Sequence, residues 1–179
     1  HTVYIGSIGS MGFTKANYVF QCCEAFVNNK IHFHLYTTSN SLTIGKVKDS
    51  LSNDFKEFSK SKYFHLHTPL GPKEIVKEIS KYDYGIYVAS DRTPKNELEK
   101  GLLTIIGNKI ASYLEAGIPC IYDEGCTLVD EIMKKYNLDL GFCGVEEIPK
   151  LKKKLTKINY KILEKSIIKA RDNFLMEKN

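Results

Sequence analysis

Strand-length apolar runs alternate with helix-period patterns along almost the whole chain. That alternation restricts the fold to an α/β domain built on a largely parallel sheet. Val3-Tyr4-Ile5 reads as a first core strand and runs into the glycine-rich turn Gly6-Ser7-Ile8-Gly9-Ser10-Met11-Gly12. Ala16, Val19, Phe20, Cys23, Phe26 and Val27 then fall on one helical face. Residues 31–36 form the second strand, and Val47, Leu51, Phe55 and Phe58 mark a second amphipathic helix. Residues 63–67 are the third strand. Thr68-Pro69-Leu70-Gly71-Pro72 turns into a helix carrying Ile75, Val76 and Ile79, with Pro72 at a favourable helix start.

A fourth strand covers 84–89, and the connection over 90–107 has the length of functional loops. Asn108 is expected to cap a helix through Ala116, stopped by Gly117-Ile118-Pro119 before the strand Cys120-Ile121-Tyr122. Leu128, Val129, Ile132 and Met133 make a further helix, a short strand lies at 140–142, and 146–176 reads as a helical tail. Its stripe is Leu163, Ile167, Ala170 and Phe174. The expectation is one doubly wound, Rossmann-like domain over residues 1–179, with six mainly parallel strands ordered 3-2-1-4-5-6 and helices on both faces.

Composition narrows the function classes. At 26% charged and 11% aromatic residues the chain is neither disordered nor collagenous. No apolar run reaches the ~20 residues that span a bilayer, and no signal peptide is visible. The net charge of +5 is too small to argue for a nucleic-acid partner. Arg92 and Arg171 are the sole arginines, so a planar bidentate phosphate clamp has few places to sit. The five cysteines, at 22, 23, 120, 126 and 143, are odd in number and lack zinc spacing, which suits free thiols in a reducing, cytoplasmic compartment. Adjacent Cys22 and Cys23 should point to different sides of their helix. The start at His1, directly before a core strand, reads as a piece cut from a longer protein.

Several local patterns carry chemistry. The turn after the first strand could present amides to a phosphate, but its spacing is G-x-x-G-x-x-G, and Thr37 and Thr38 stand where a dinucleotide site needs an acid. His32 and His34, with His65 and His67, are i, i+2 pairs on strands that should be neighbours, so four imidazoles can share a face. They could bind a metal, but no cysteine or carboxylate completes a shell. The favoured reading is aromatic filling with ring nitrogens bonded to backbone, and no metal ligand is assigned. Lys152-Lys153-Lys154 could touch an anionic membrane surface peripherally, although a solvated helix face explains it as well. Cys126 opens a helix but has no identifiable base nearby, and the pairs Asp123-Glu124 and Glu146-Glu147 read as solvated caps. No catalytic residue is assigned.

The most specific stretch is Asn108-Lys109-Ile110-Ala111-Ser112-Tyr113-Leu114-Glu115-Ala116-Gly117-Ile118-Pro119-Cys120-Ile121. It resembles the corresponding segment in the carboxyl-terminal, donor-binding domain of GT-B glycosyltransferases, particularly the family 4 type. The opening Tyr4-Ile5-Gly6-Ser7-Ile8 is similar to that domain's first strand, and Tyr82-Asp83-Tyr84-Gly85-Ile86 to the strand before its donor loop. The resemblance covers nearly the whole chain, but of one domain; the amino-terminal, acceptor-binding domain is absent and would be a partner.

The resemblance implies a UDP- or GDP-type sugar donor, transfer with retention to a polysaccharide or glycolipid, and no cofactor or metal. It places the donor on Gly6, Ser7, Ile8, Gly9, Thr68, Pro69, Leu70, Arg92, Gly107, Asn108, Lys109 and Ser112. The family's paired glutamates would fall at Thr104 and Ser112, and its arginine and lysine at Ser7 and Met11, so four usual charges are missing. The alternative is therefore a non-catalytic or regulatory module with a degenerate pocket.

Overall fold

The computed structural model describes residues 1–6, 13–37, 59–88 and 107–174, with backbone alone for 13–17. The proposed helix around Val47 to Phe58, most of the 90–107 connection, and Ser7, Ile8, Gly9, Met11, Arg92 and Thr104 lie outside the described residues. The elements are β1 (Thr2–Ile5), α1 (Phe13–Asn28), β2 (Phe33–Tyr36), β3 (Phe64–His67), α2 (Pro72–Ile79) and β4 (Tyr84–Tyr87). They continue with α3 (Asn108–Glu115), β5 (Cys120–Asp123), α4 (Thr127–Lys135) and β6 (Gly141–Phe142). A 3-10 turn (Val145–Glu147) then leads to α5 (Ile148–Leu155) and α6 (Tyr160–Phe174).

The six strands form one sheet ordered β3-β2-β1-β4-β5-β6, parallel at every pairing. This is the doubly wound, Rossmann-like α/β arrangement expected from the alternation. β1, β2 and β5 are buried on both faces, which their continuous apolar runs require. Side chains alternate along β2: Phe33 turns to α1, its ring 5.8 Å from that of Phe26, and Tyr36 turns to α2, its hydroxyl 3.0 Å from Glu78. The two helices therefore cover opposite faces.

β1 runs beside β2 as far as Ile5↔Tyr36 but pairs with β4 only at Thr2↔Tyr84 and Val3↔Gly85. The gap that opens beyond Val3 is filled by Tyr113 of α3, which is fully buried. Its ring lies on Gly85, where an added Cβ would come within 2.4 Å of ring carbon. Its hydroxyl accepts from the Ile5 N–H at 3.3 Å and donates toward the carbonyls of Ile86 (2.9 Å) and Val3 (3.2 Å). Backbone groups that the splayed strands cannot pair are thereby satisfied by one phenol.

Four local expectations are corrected. Gly107, not Asn108, is the N-cap of α3, because the Tyr87 ring leaves no room for a Cβ there, 2.7 Å from its nearest atom. The tail is two helices: Asn159 accepts the Lys161 N–H at 3.2 Å on its side chain and so starts α6 afresh. In α6 the buried stripe is Leu163, Ile167 and Ala170, while Phe174 is exposed and meets Tyr136 at the rim, 5.8 Å between centroids. Asp123 is buried, its Oδ1 accepting from Gly125 N–H at 3.0 Å. Cys22 and Cys23 are both buried, as are Cys120 and Cys126, and none of the five cysteines forms a disulfide, with Cys143 exposed.

Candidate functional site

The sheet order reverses between β1 and β4, and a ligand crevice is expected beyond the carboxyl ends of the strands there. A pocket of about 250 Å³ occupies that edge, on the face of α2 and α3. Gly6, Pro69, Leu70, Asn108, Lys109 and Ser112, six of the residues to which the resemblance assigns the donor, line it. Thr68 and Gly107 do not: Thr68 is exposed, and Gly107 lies against Tyr87. Ile5, Tyr36, Thr37, Pro72 and Ile75 complete the wall and were not foreseen. Their contribution follows from strand register and from the start of α2, where the Gly71 N–H donates to Glu74 Oε2 at 3.1 Å.

Gly6 has φ +110°, and an added Cβ would lie 2.9 Å from the Cε of Lys109. The lysine stem thus crosses the end of β1, its ammonium 5.0 Å from the centre of the Tyr4 ring. Burial pushes the Tyr4 phenol well up, so it stays neutral beneath that cation. With the first amides of α3, Lys109 gives this edge a positive potential suited to an anion. Ser112 spends its proton on the Asn108 carbonyl one turn back, 3.2 Å away, leaving oxygen lone pairs toward the pocket.

Two hydroxyls form the opposite wall. Tyr36 donates to Glu78 Oε1 at 3.0 Å and accepts from Tyr82 at 2.8 Å, which locks its ring. Burial, reinforced by those hydrogen bonds, raises its pKa, while Lys81, ahead of Tyr36, lowers that of Glu78. Thr37 is buried, and its Oγ1 has no hydrogen-bond partner among the described residues. A threonine at a strand end carries no sequence signal for that.

The histidines lie on this same sheet face, one strand length toward the opposite edge. His34 pairs in register with His65, and His1, which precedes Thr2↔Phe33, falls beside His32. The ring nitrogens bond to one another rather than to backbone, correcting the expectation: His32 Nδ1 to His65 Nε2 at 2.8 Å, His34 Nδ1 to His67 Nε2 at 2.9 Å, and His1 Nδ1 to His34 Nε2 at 3.0 Å. Burial, helped by the neighbouring imidazoles, lowers the pKa of His34 to about 3 and those of His32 and His67 less far. The lysine run is held locally: Lys152 donates to the Asn29 carbonyl at 2.7 Å, and Lys154 sits 3.9 Å from Asp139. Among the described residues no helix is long and apolar enough to cross a membrane.

A doubly wound parallel sheet with a pocket at its switch point defines a Rossmann-like α/β domain. A family model described as "Glucosyltransferase 3-like, C-terminal domain" matches residues 25–175. The chain belongs to that family, and its role is glycosyltransferase-related. No curated protein and no solved structure matches it.

Proposed function

We propose that the chain is the nucleotide-sugar donor domain of a GT-B-type glycosyltransferase, working with an acceptor-binding domain to transfer the sugar with retention to a polysaccharide or glycolipid. The observation that supports this reading is the pocket at the switch point, closed on one side by Lys109 and the start of α3. The diphosphate would lie against those amides and the ammonium. The base would rest on Pro69 and Leu70, and the ribose would reach Ser112 and Thr37 as hydroxyl partners. Turnover needs the second domain, because such a site closes between two domains and excludes water.

Calorimetry with UDP, GDP and their sugars tests the reading. One of these nucleotides should bind, and Lys109→Ala should weaken it by about tenfold, the loss of one charge-assisted bond. Arg92→Ala should weaken it roughly ten- to a hundredfold if the arginine also grips the diphosphate, with Arg92→Lys recovering only part. The second reading, a non-catalytic module, is favoured by the hydroxyl of Ser112 standing where the GT-B family 4 type that the sequence resembles has a charged ribose ligand. The absence of binding by any nucleotide at millimolar concentration would select it.

A further inference from the structure

We propose that His1, His32 and His34 form a site for one divalent transition-metal ion of the imidazole-binding type, zinc above all, with His65 and His67 orienting the ligands from outside. All five histidines of the chain stand on one face at the β1-β2-β3 side of the sheet. One ring nitrogen from each of His1, His32 and His34 lies within 4.8 Å of the others. Zinc–nitrogen bonds of about 2.0–2.1 Å place tetrahedral ligand atoms about 3.3 Å apart. The His1–His34 pair is already at 3.0 Å, and exposed His1 and half-buried His32 can rotate to close the remainder.

The outer hydrogen bonds favour coordination over simple packing. A metal-bound imidazole almost always gives its other N–H to an acceptor that fixes tautomer and ring angle. His32 and His34 each meet such an acceptor through Nδ1, namely Nε2 of His65 and of His67. That leaves the Nε2 atoms of His32 and His34 as lone pairs on the metal side. His34 Nε2 then accepts from His1 Nδ1–H. Besides that rotation, metal binding requires that His1 move this proton to its own Nε2, a tautomer change with no net proton release. The His1 and His32 rings are stacked at 4.2 Å, so their in-plane lone pairs run side by side and His1 must swing out of the stack to turn a nitrogen onto the ion, while a second stack at 4.2 Å holds His34 on His65.

His1 and His32 also open onto a cavity of about 330 Å³ shared with Asp83 and Tyr160, which gives the ion a route in and a fourth position for water. That cavity lies at the amino ends of the strands. The ligand His34 stands two residues, about 7 Å, before Tyr36 of the switch-point pocket, and His67 stacks on Tyr36 at 4.4 Å, but no histidine lines that pocket, so the metal site does not rest on the donor reading.

The test uses the full chain without a polyhistidine tag, stripped by chelator and titrated with zinc against a chromophoric indicator, then with cobalt(II) as a visible-absorption probe. One equivalent should bind in the micromolar range or tighter, with a tetrahedral cobalt spectrum lacking thiolate charge transfer. His1→Gln, at an exposed position, and His32→Gln, at a half-buried one, should fold normally and weaken binding by about a hundredfold or more, beyond the 10–100-fold typical of outer partners. His67→Gln should fall within that outer range. Cys143→Ser should change nothing, since the exposed thiol is not a ligand. Adding residues ahead of His1 should also leave binding intact, because the ligands are ring nitrogens. The proposal is overturned if no metal binds below about 100 μM, if His32→Gln binds as tightly as the parent, or if Cys143→Ser abolishes binding.

Discussion

Tyr113→Phe isolates one hydroxyl at the point where the sheet splits. The variant keeps the ring, its full burial and its contact with Gly85, so no cavity forms. What disappears is the acceptor for the Ile5 N–H at 3.3 Å and the donor to the Ile86 carbonyl at 2.9 Å. A buried N–H left unpaired costs about 1–3 kcal/mol, and the lost donated bond contributes about 0.5–1.5 kcal/mol more. The expected destabilisation is therefore about 2–4 kcal/mol. For a chain of this size, where each kcal/mol shifts Tm by about 2–4 °C, Tm should fall by roughly 5–15 °C. Urea unfolding followed by circular dichroism gives the free energy directly. The midpoint should drop at constant m, because the surface exposed on unfolding is unchanged. A loss under about 0.5 kcal/mol would mean that β1 and β4 satisfy each other without the phenol, and the bridging role would be refuted.

Gly85→Ala should be worse, because its Cβ meets a ring that cannot retreat; a loss above about 3 kcal/mol is expected, read as a collapse in soluble yield or Tm. In chelator-treated protein, stability should fall as pH drops below about 6.5. The folded His34 pKa of about 3, held down by burial and by His65, His67 and His32, lies below its unfolded value, so the unfolded chain binds the extra proton. The slope is at most about 1.4 kcal/mol per pH unit for this residue, and urea titrations at pH 7 and pH 5 should show it shrinking in His34→Gln. A thiol reagent should titrate one cysteine rapidly, Cys143, and the four buried ones only on unfolding; rapid reaction of two or more would contradict the packing around α1 and β5.

Among the described residues periodicity marked the strands and most helices, though not the break at Asn159, because burying both faces of a parallel sheet demands continuous apolar strands, and burying a helix demands a stripe. Right-handed crossovers restrict such an alternation to doubly wound sheets, and the expected order 3-2-1-4-5-6 is the one the sheet adopts. The positions of Gly6, Asn108 and Lys109 were legible for the same reason: they end a strand or begin a helix, where a doubly wound sheet keeps its ligands. Tertiary structure decided what no local window encodes. Tyr113 reads as one more apolar helix residue until the splay of β1 from β4 gives its hydroxyl three backbone partners. Tyr36 and Thr37 read as a strand end until register sets them against α2 and α3. The histidine pairs at i, i+2 were visible along each strand, but side-chain spacing within a strand says nothing of the slip between strands. Only the pairings His34↔His65 and Val3↔His34 bring all five rings together, as two hydrogen-bonded groups, His32 with His65 and His34 with His1 and His67, stacked on one another.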